Sequence, residues 1–336
     1  MKFLRLIFTA IFISVSVFGV IISSKKLQSD LVLIERKSEV KILNLYHVDT
    51  FPGGTGSRQQ FLLKVAYGFE KINSGILVNV VNLTVDGYKD RIDKGKVPDM
   101  VSFGVGVKVE NQVCFDANLT FPSGNINGKT FSIPWARGGY FIFDKNIKSE
   151  GTLPTVYDNL IISLSNYTSP FTPLVLSDIK ANTFSLLEDK LAYVEFLQKD
   201  NAVLVGTQRD LFRLYKSGVE FGIIPLKLYS DLYQYICITS TDKANVELSV
   251  AFINYLVSED VQKKLTSIAM FSPYFDNVYL EDYYHLAETA FPDTTLYVNI
   301  GDDYAIFKDL SQKAFIMGVQ DKFKIKNSLI SLEKFH

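Results

Sequence analysis

Residues 41–104 read KILNLYHVDTFPGGTGSRQQFLLKVAYGFEKINSGILVNVVNLTVDGYKDRIDKGKVPDMVSFG, and apolar runs alternate there with helical segments. The runs rich in Val, Leu and Ile predict strands at 41–46, 76–85 and 99–103. Between the first two, Ser57 can cap a helix whose apolar positions recur at helical spacing, and a shorter helix is predicted at 88–94. This β-α-β-α-β order predicts a parallel sheet covered by helices.

The rest of the chain continues the alternation of short apolar runs and helical segments. The apolar pattern, together with the Gly, Pro and other turn-forming residues that bound it, predicts further strands at 129–135, 139–144, 201–205, 221–225 and 233–239. They predict helices at 155–164, 192–197 and 208–216, and a mainly helical stretch from residue 244. The whole chain is therefore expected to be an α/β protein.

Composition excludes several classes of function. The 336 residues carry 35 Lys and Arg against 36 Asp and Glu, so the net charge of -1 gives no basis for nucleic-acid binding. Hydrophobic residues make up 47% of the chain, which is typical of a folded protein. Two cysteines and three histidines are too few for a disulfide scaffold or a structural zinc site, and we expect no metal or other cofactor. Outside the cytoplasm the two cysteines could pair, but they lie far apart in sequence among apolar, strand-like residues, so we expect two buried free thiols.

The N-terminal segment fixes the compartment. Residues 6–24 are uncharged and mostly apolar, and they lie between Lys2 and Arg5 on one side and Lys25 and Lys26 on the other. As a helix they would span roughly 28 Å, close to the thickness of a bilayer core. The segment is either an uncleaved membrane anchor or a cleaved secretory signal. Both alternatives place the bulk of the protein on the extracellular face of the membrane or in the medium, with residues 25–39 as a tether.

Four motifs, in order along the chain, resemble one family. They are Lys96–Val101 with its Pro-Asp-apolar strand, the crossover 128–146 with Gly-Lys-Thr-Phe-Ser-Ile-Pro, the segment Leu153–Leu160, and Ala251–Gln262. Together they resemble the extracellular solute-binding proteins of ABC importers, in the sugar-type branch with the type 2 periplasmic-binding fold.

The resemblance implies two lobes, each a mostly parallel sheet flanked by helices, that close around a ligand by a hinge motion. The first lobe would comprise residues 40–136 and 242–336, and the second lobe residues 137–241. The chain would cross between lobes near 136–140 and return near 236–241. It would be a non-catalytic monomer that captures a small polar solute, with a carbohydrate as the leading ligand, and delivers it to the permease subunits in the membrane.

Candidate ligand-binding residues follow from position and chemistry. In open α/β sheets ligands bind beyond the carboxyl ends of the strands, which here carry His47, Asp49, Thr50 and Phe51 after the first strand and Ser102 in the third. A further group combines flat aromatic rings, which stack on sugars, with side chains that form several hydrogen bonds. Its members are Trp135, Arg137, Gln208, Arg209, Asp210, Tyr235 and Tyr274.

Two alternative functions remain open at the level of sequence. The same module could be a membrane-tethered ligand sensor, because the chain lacks the lipid-attachment cysteine of many binding proteins. It could also bind a polyamine or ferric iron, which would require a cleft rich in carboxylates or tyrosines. Enzymatic motifs are incomplete: Ser123–Thr130 lacks the first glycine of a phosphate-binding loop, and neither G-x-S-x-G nor H-E-x-x-H occurs.

Overall fold

The structure, a computed structural model, describes residues 40–51, 53–146, 154–165, 167–276, 279, 282–289, 301–317 and 327. The predicted anchor at 6–24 and the tether at 25–39 lie outside the described residues. Within the described ranges, no helix combines the length and apolarity needed to cross a bilayer.

The described chain alternates strands and helices. The strands are β1 (Lys41–Val48), β2 (Ile76–Leu83), β3 (Met100–Gly104), β4 (Asn125–Ile126), β5 (Lys129–Thr130), β6 (Ser132–Arg137), β7 (Tyr140–Asp144), β8 (Val156–Tyr157), β9 (Leu160–Leu164), β10 (Lys180–Ala181), β11 (Phe184–Glu188), β12 (Val203–Thr207), β13 (Gly222–Pro225) and β14 (Tyr233–Ile238). The α-helices are α1 (Arg58–Ile72), α2 (Val85–Asp93), α3 (Phe171–Leu176), α4 (Asp189–Gln198), α5 (Gln208–Ser217), α6 (Lys243–Leu256), α7 (Glu259–Gln262), α8 (Asp282–Thr289) and α9 (Gly301–Ile316). A 3₁₀-helix covers Lys263–Ile268.

Two five-stranded sheets organise the described residues, and they share one topology. The first has the order β2-β1-β3-β14-β6 and the second the order β11-β9-β12-β7-β13. In each sheet four strands point the same way, and the fifth, β14 or β7, runs antiparallel to both neighbours. This confirms the predicted two-lobed α/β fold with mostly parallel sheets flanked by helices.

The chain passes between the two sheets twice. Strand β6 belongs to the first sheet and β7 to the second, so the first passage lies at Gly138 and Gly139. The return lies between β13 and β14, at residues 226–232, which is earlier than the predicted 236–241. The reason is that β14 pairs with β3 and β6, so it is already a strand of the first sheet.

The C-terminal helices divide between the two sheets. Helix α6 packs against α1, β14 and β1 of the first sheet. By contrast, Tyr284 of α8 stacks on Phe212 of α5 with ring centroids 4.1 Å apart, and Phe315 of α9 contacts Phe171 of α3. The prediction that the whole of 242–336 joins the first lobe is therefore wrong, because aromatic contacts attach α8 and α9 to the helices beside the second sheet.

Two smaller predictions also need correction. The helix predicted at 155–164 is the strand pair β8 and β9, and β9 forms parallel ladders with β11 and β12. The two cysteines are free, but only Cys237 is buried, and Cys114 is exposed. The five elements predicted within 41–104 are all confirmed, although α2 begins three residues earlier than predicted because Thr84 caps it.

Candidate ligand-binding cleft

A cleft of about 690 Å³ opens where strands of the two sheets end. Its walls come from the loop after β1, the start of α2 after β2, the loop after β9, and the start of α5 after β12. The carboxyl ends of parallel strands from both sheets thus meet at one cavity, as expected for open α/β sheets. The lining residues are Asp49, Thr50, Phe51, Gly53, Gly54, Thr55, Gly56, Ser57, Arg58, Thr84, Val85, Asp86, Ser165, Tyr167 and Arg209.

Three helices begin at this cleft, each with a side-chain cap. Ser57 accepts a hydrogen bond from the Gln60 N–H in α1, and Thr84 accepts one from the Gly87 N–H in α2. Thr207 and Asp210 form a capping box at the start of α5. At the start of α5 the N–H groups of Gln208 and Arg209 are already bonded, to the Gly139 carbonyl and to Thr207. A side-chain cap satisfies only part of the N–H groups in a first turn, so α1 and α2 are the helix starts that can offer N–H groups to a polar ligand.

Ser102 organises a buried polar group directly behind the cleft. Its Oγ lies 2.9 Å from Trp135 Nε1, 3.1 Å from Gln234 Nε2 and 3.1 Å from His47 Nδ1. Because the indole N–H and the amide N–H can only donate, Ser102 accepts from both and donates its own hydrogen to Nδ1 of His47. The proton of the neutral imidazole therefore sits on Nε2, which faces Asp49 Oδ1 at 3.2 Å.

Burial shapes the charges at the cleft wall. Burial lowers the pKa of His47, so the ring stays neutral at physiological pH. Burial alone would raise the pKa of the Asp49 carboxyl, but the close approach of His47 Nε2 and the positive charge of Arg58 hold that pKa well below its usual range. Asp49 also accepts from Asn82 at 3.2 Å, and its side chain is 49% exposed. An ionised, hydrogen-bond-accepting carboxylate therefore borders the cavity.

Arg58 links the first residues of the cleft. Its guanidinium bonds Asp49 at 3.0 Å, donates to the Phe51 carbonyl, and lies 4.1 Å from the centre of the Phe51 ring. The ring face of Phe51 on that side is therefore covered by the cation rather than open to a ligand. Arg58 Nη1 is buried without a hydrogen-bond partner among the described residues.

Four of the twelve predicted ligand residues line the cleft, and two stand directly behind it. Asp49, Thr50, Phe51 and Arg209 line the cavity, Arg209 from the second sheet and in an ion pair with Asp189. His47 and Ser102 are fully buried and orient Asp49 from behind. As ligand contacts, all of these remain predictions.

The other six predicted residues lie away from this cavity. Trp135 is fully buried and stacks on Phe61 with ring centroids 5.6 Å apart, so it belongs to the core of the first sheet and presents no face to a ligand. Gln208 is fully buried and accepts from the Gly139 N–H at the first passage between sheets. Asp210 closes the capping box, and burial raises its pKa to about 6.

The remaining three face other neighbours. Arg137 lies 3.6 Å from Asp276 and bonds the Glu288 carbonyl. Tyr235 is fully buried and exchanges a hydrogen bond with Ser123 at 2.7 Å. Tyr274 packs edge-on against Phe121.

Sequence reasoning missed Arg58 and the other lining residues between Gly53 and Ser57 after β1, and it also missed residues that follow the ends of two later strands. Thr84 and Asp86 come after β2, and Ser165 and Tyr167 come after β9. The signal for the first pair was present in the sequence, because residues 76–85 already predicted a strand. The second pair was hidden by the incorrect prediction of a helix at 155–164.

Comparison with known proteins shows which solved structures share this architecture. No protein-family model matches the sequence, and neither does any curated protein sequence. Solved structures do match. The sugar-binding protein MalE from Xanthomonas citri shares 10% identity at a TM-score of 0.61, over 88% of this chain and 97% of that one. The GacH receptor of Streptomyces glaucescens, solved unliganded and with acarbose, shares 11% sequence identity at a TM-score of 0.57. The match covers 87% of this chain and 99% of GacH.

A third match is RafE solved with raffinose, at 15% identity and a TM-score of 0.52, covering 87% of this chain and 98% of that one. The chain has the fold of the sugar-type solute-binding proteins. In this binding-protein fold the cavity between the carboxyl ends of the two sheets is the cleft between the two lobes. Among the residues that the structure describes, no group of three His, Cys, Asp or Glu side chains could hold a metal ion.

Proposed function

We propose that this protein is the extracellular substrate-binding component of an ABC importer and captures a carbohydrate between its two lobes. It delivers the unaltered sugar to permease subunits in the membrane. Its N-terminal segment either anchors it at the extracellular face of the cell membrane or directs its secretion. The capture step is binding and closure, without chemistry on the ligand.

The composition of the cleft carries this proposal. The cleft, with its volume of about 690 Å³, is lined by the hydroxyl residues Ser57, Thr84 and Ser165. The carboxylates of Asp49 and Asp86 line it as well. Hydroxyls both donate and accept, and carboxylates accept, so together they match the many hydroxyl groups of a sugar. The volume lies within the range of about 300–1,000 Å³ typical of small-molecule sites. Two acidic and two basic side chains balance, which favours a neutral ligand over an ion.

A thermal-shift screen of the full-length protein against sugars, amino acids, polyamines and metal ions tests the proposal. A sugar present at 100 times its dissociation constant should stabilise the folded protein by about 2.7 kcal/mol. Chromatography of the released ligand should return it chemically unchanged. Stabilisation only by another class of compound, or recovery of a cleaved sugar, would contradict the proposed function.

A matched pair of substitutions in α2 locates the binding. Asp86 lines the cleft, whereas Asp90 on the same helix is exposed and pairs with Lys94. We expect Asp86→Asn to weaken sugar binding about tenfold, since a hydrogen bond to a charged group is worth roughly 1.5–3 kcal/mol. Asp90→Asn should bind as the unmodified protein does. Equal affinities of the two variants would remove Asp86 from the site.

A further inference from the structure

Exposed apolar side chains gather at the end of the first sheet that lies opposite the cleft, where the strands begin. Ile42 of β1 and Leu77 of β2 are register partners, and they are 54% and 46% exposed. The parallel register of β1 with β3, counted back by three residues from its first pair, places Val97 beside Ile42. Val97 is 57% exposed. The three residues thus form a row across β2, β1 and the approach to β3.

Two further apolar residues extend this row. Val40 immediately precedes β1, and Ile72 ends α1 shortly before β2 begins. Of the sixteen large apolar side chains that are exposed in the described part of the chain, these five share one end of the first sheet. Single exposed apolar residues are normal on a protein surface, whereas a cluster of them marks contact with a partner or with lipid.

Lysines surround the apolar row. The described stretches 40–42, 71–77, 93–97 and 241–243 form this end of the sheet, the last of them because β14 ends beside the start of β3. These stretches contain two aspartates, Asp93 and Asp242, and five exposed lysines, which are Lys41, Lys71, Lys94, Lys96 and Lys243. Asp90, one turn earlier in α2, pairs with Lys94. Apolar side chains among lysines are typical of surfaces that lie in the headgroup region of an anionic bilayer.

The chain enters the first lobe at this same end. The tether predicted at 25–39 joins β1 through Val40, and the predicted membrane segment 6–24 precedes the tether. Fifteen residues span at most about 50 Å, so an anchored chain would keep this end of the lobe close to the bilayer. A short tether gives an effective concentration of about a millimolar, at which even a weak attraction to lipid is populated.

We propose that this end of the first lobe rests on the anionic surface of the cell membrane through the five apolar residues and the five lysines, which together we call the amino-end surface. The inference rests on the anchored form of the proposed function and adds a lipid partner to it. Strand β1 has eight residues, so the cleft at its other end stays roughly 25 Å from the headgroups and open to solutes. The amino-end surface orients the receptor on the bilayer and takes no part in sugar binding.

Hydroxyl-radical footprinting of the full-length protein in lipid nanodiscs tests this inference. The nanodiscs contain phosphatidylcholine, with or without anionic phosphatidylglycerol, and the protein in detergent is the reference. In anionic nanodiscs, labelling of Ile42, Leu77 and Val97 should fall about threefold, as expected when the docked state is populated roughly two-thirds of the time. Leu191 on α4 of the second lobe is 58% exposed and should label equally in all samples. High salt should restore the labelling, because it screens the lysines.

Two matched pairs of substitutions locate the contact. Leu77→Glu and Lys96→Glu should each remove most of the protection in anionic nanodiscs. Leu191→Glu and Lys216→Glu change exposed residues on helices of the second lobe and should keep it. Unfolding midpoints should show that the four variants are folded, and their sugar affinity should equal that of the unmodified protein.

Several outcomes would overturn the inference. Equal labelling in anionic nanodiscs and in detergent would exclude lipid contact, as would a full-length protein that does not stay with the nanodiscs. Low labelling in detergent as well would mean that another segment of the chain or a second copy covers the amino-end surface. Equal protection in neutral and anionic nanodiscs, or protection that survives both Leu77→Glu and Lys96→Glu, would exclude anionic lipid as the partner. The proposed sugar capture would survive all of these outcomes, because it fails only if no sugar binds.

Discussion

At the scale of single residues, Ser102 determines the arrangement behind the cleft. It is fully buried and satisfies the N–H groups of Trp135 and Gln234 while it donates to His47. Through His47 this arrangement reaches Asp49, the ionised carboxylate at the cavity wall. One hydroxyl thus fixes both a core indole and the orientation of a cleft residue.

Ser102→Ala should therefore destabilise the protein and disturb the cleft. We expect a loss of about 1–3 kcal/mol for each buried donor left without an acceptor. Ser249 provides the control, because it is fully buried in α6 and its hydroxyl has no hydrogen-bond partner among the described residues. Ser249→Ala should be neutral or stabilising. Urea unfolding followed by circular dichroism measures both, and equal losses would refute the role of Ser102.

Sequence could locate Asp49 but not the true place of Trp135. Asp49 follows a strand end, and strand ends in a parallel sheet define where ligands bind. Trp135 lies in β6, whose residues from Ser132 to Ala136 are all buried, so the alternation of exposed and buried positions that would orient a side chain is missing. The stack of Trp135 on Phe61 joins residues far apart in the chain, and the sequence carries no signal for that pairing.

At the scale of elements, the loop between β1 and α1 is locked against the end of the 3₁₀-helix. Gly54 has φ +57°, and a Cβ on it would lie 1.6 Å from the Ile268 carbonyl oxygen. The same oxygen accepts a hydrogen bond from the Thr55 N–H at 3.2 Å. Only glycine fits there, so the cleft wall from Gly53 to Ser57 is positioned by a helix from a distant part of the sequence.

Gly54→Ala should consequently cost stability and ligand binding together. Gly128 is the control: it also has a positive φ, +77°, but a Cβ there would meet nothing within 4 Å. Gly128→Ala should lose only the roughly 1–2 kcal/mol of left-handed backbone strain. Gly54→Ala must in addition displace the Ile268 carbonyl, so we expect a larger loss and weaker sugar binding by titration. Similar losses of stability in the two variants would argue against the close packing of Gly54 on the Ile268 carbonyl.

The elements within 41–104 were predictable from local pattern, whereas two strands of the second sheet, β9 and β11, were not. Within 41–104, Gly and Asn residues separate the strands from helices that have clear apolar spacing, so each element is defined locally. Leu160–Leu164 is equally apolar, but what makes it a strand is pairing with β11 and β12. Both partners lie downstream in the chain, and tertiary pairing overrides weak local preference.

At the scale of the whole molecule, Asp231 joins parts of the chain that lie between and beside the two lobes. It accepts hydrogen bonds from Tyr140 at 2.6 Å, from the Ser169 N–H at 2.7 Å, and from Tyr304. Tyr140 follows the first passage between sheets, Asp231 lies on the return, and Tyr304 belongs to α9. Burial raises the pKa of the Asp231 carboxyl, although the hydrogen bonds from Tyr140 and Tyr304 oppose that rise.

Tyr304→Phe should loosen α9 and make stability more sensitive to pH. Because the pKa of Asp231 is raised on folding, the free energy of unfolding falls as pH rises from the ordinary range of an aspartate pKa towards the raised one. Loss of the Tyr304 donor raises that pKa further. The destabilisation should therefore be greater at neutral pH than in acid, where the carboxyl is protonated. Tyr229→Phe is the control, since Tyr229 bonds the same carboxylate at a longer 3.3 Å. Hydrogen exchange should rise within Gly301–Ile316 in Tyr304→Phe only, and unchanged protection there would show that packing alone holds the helix.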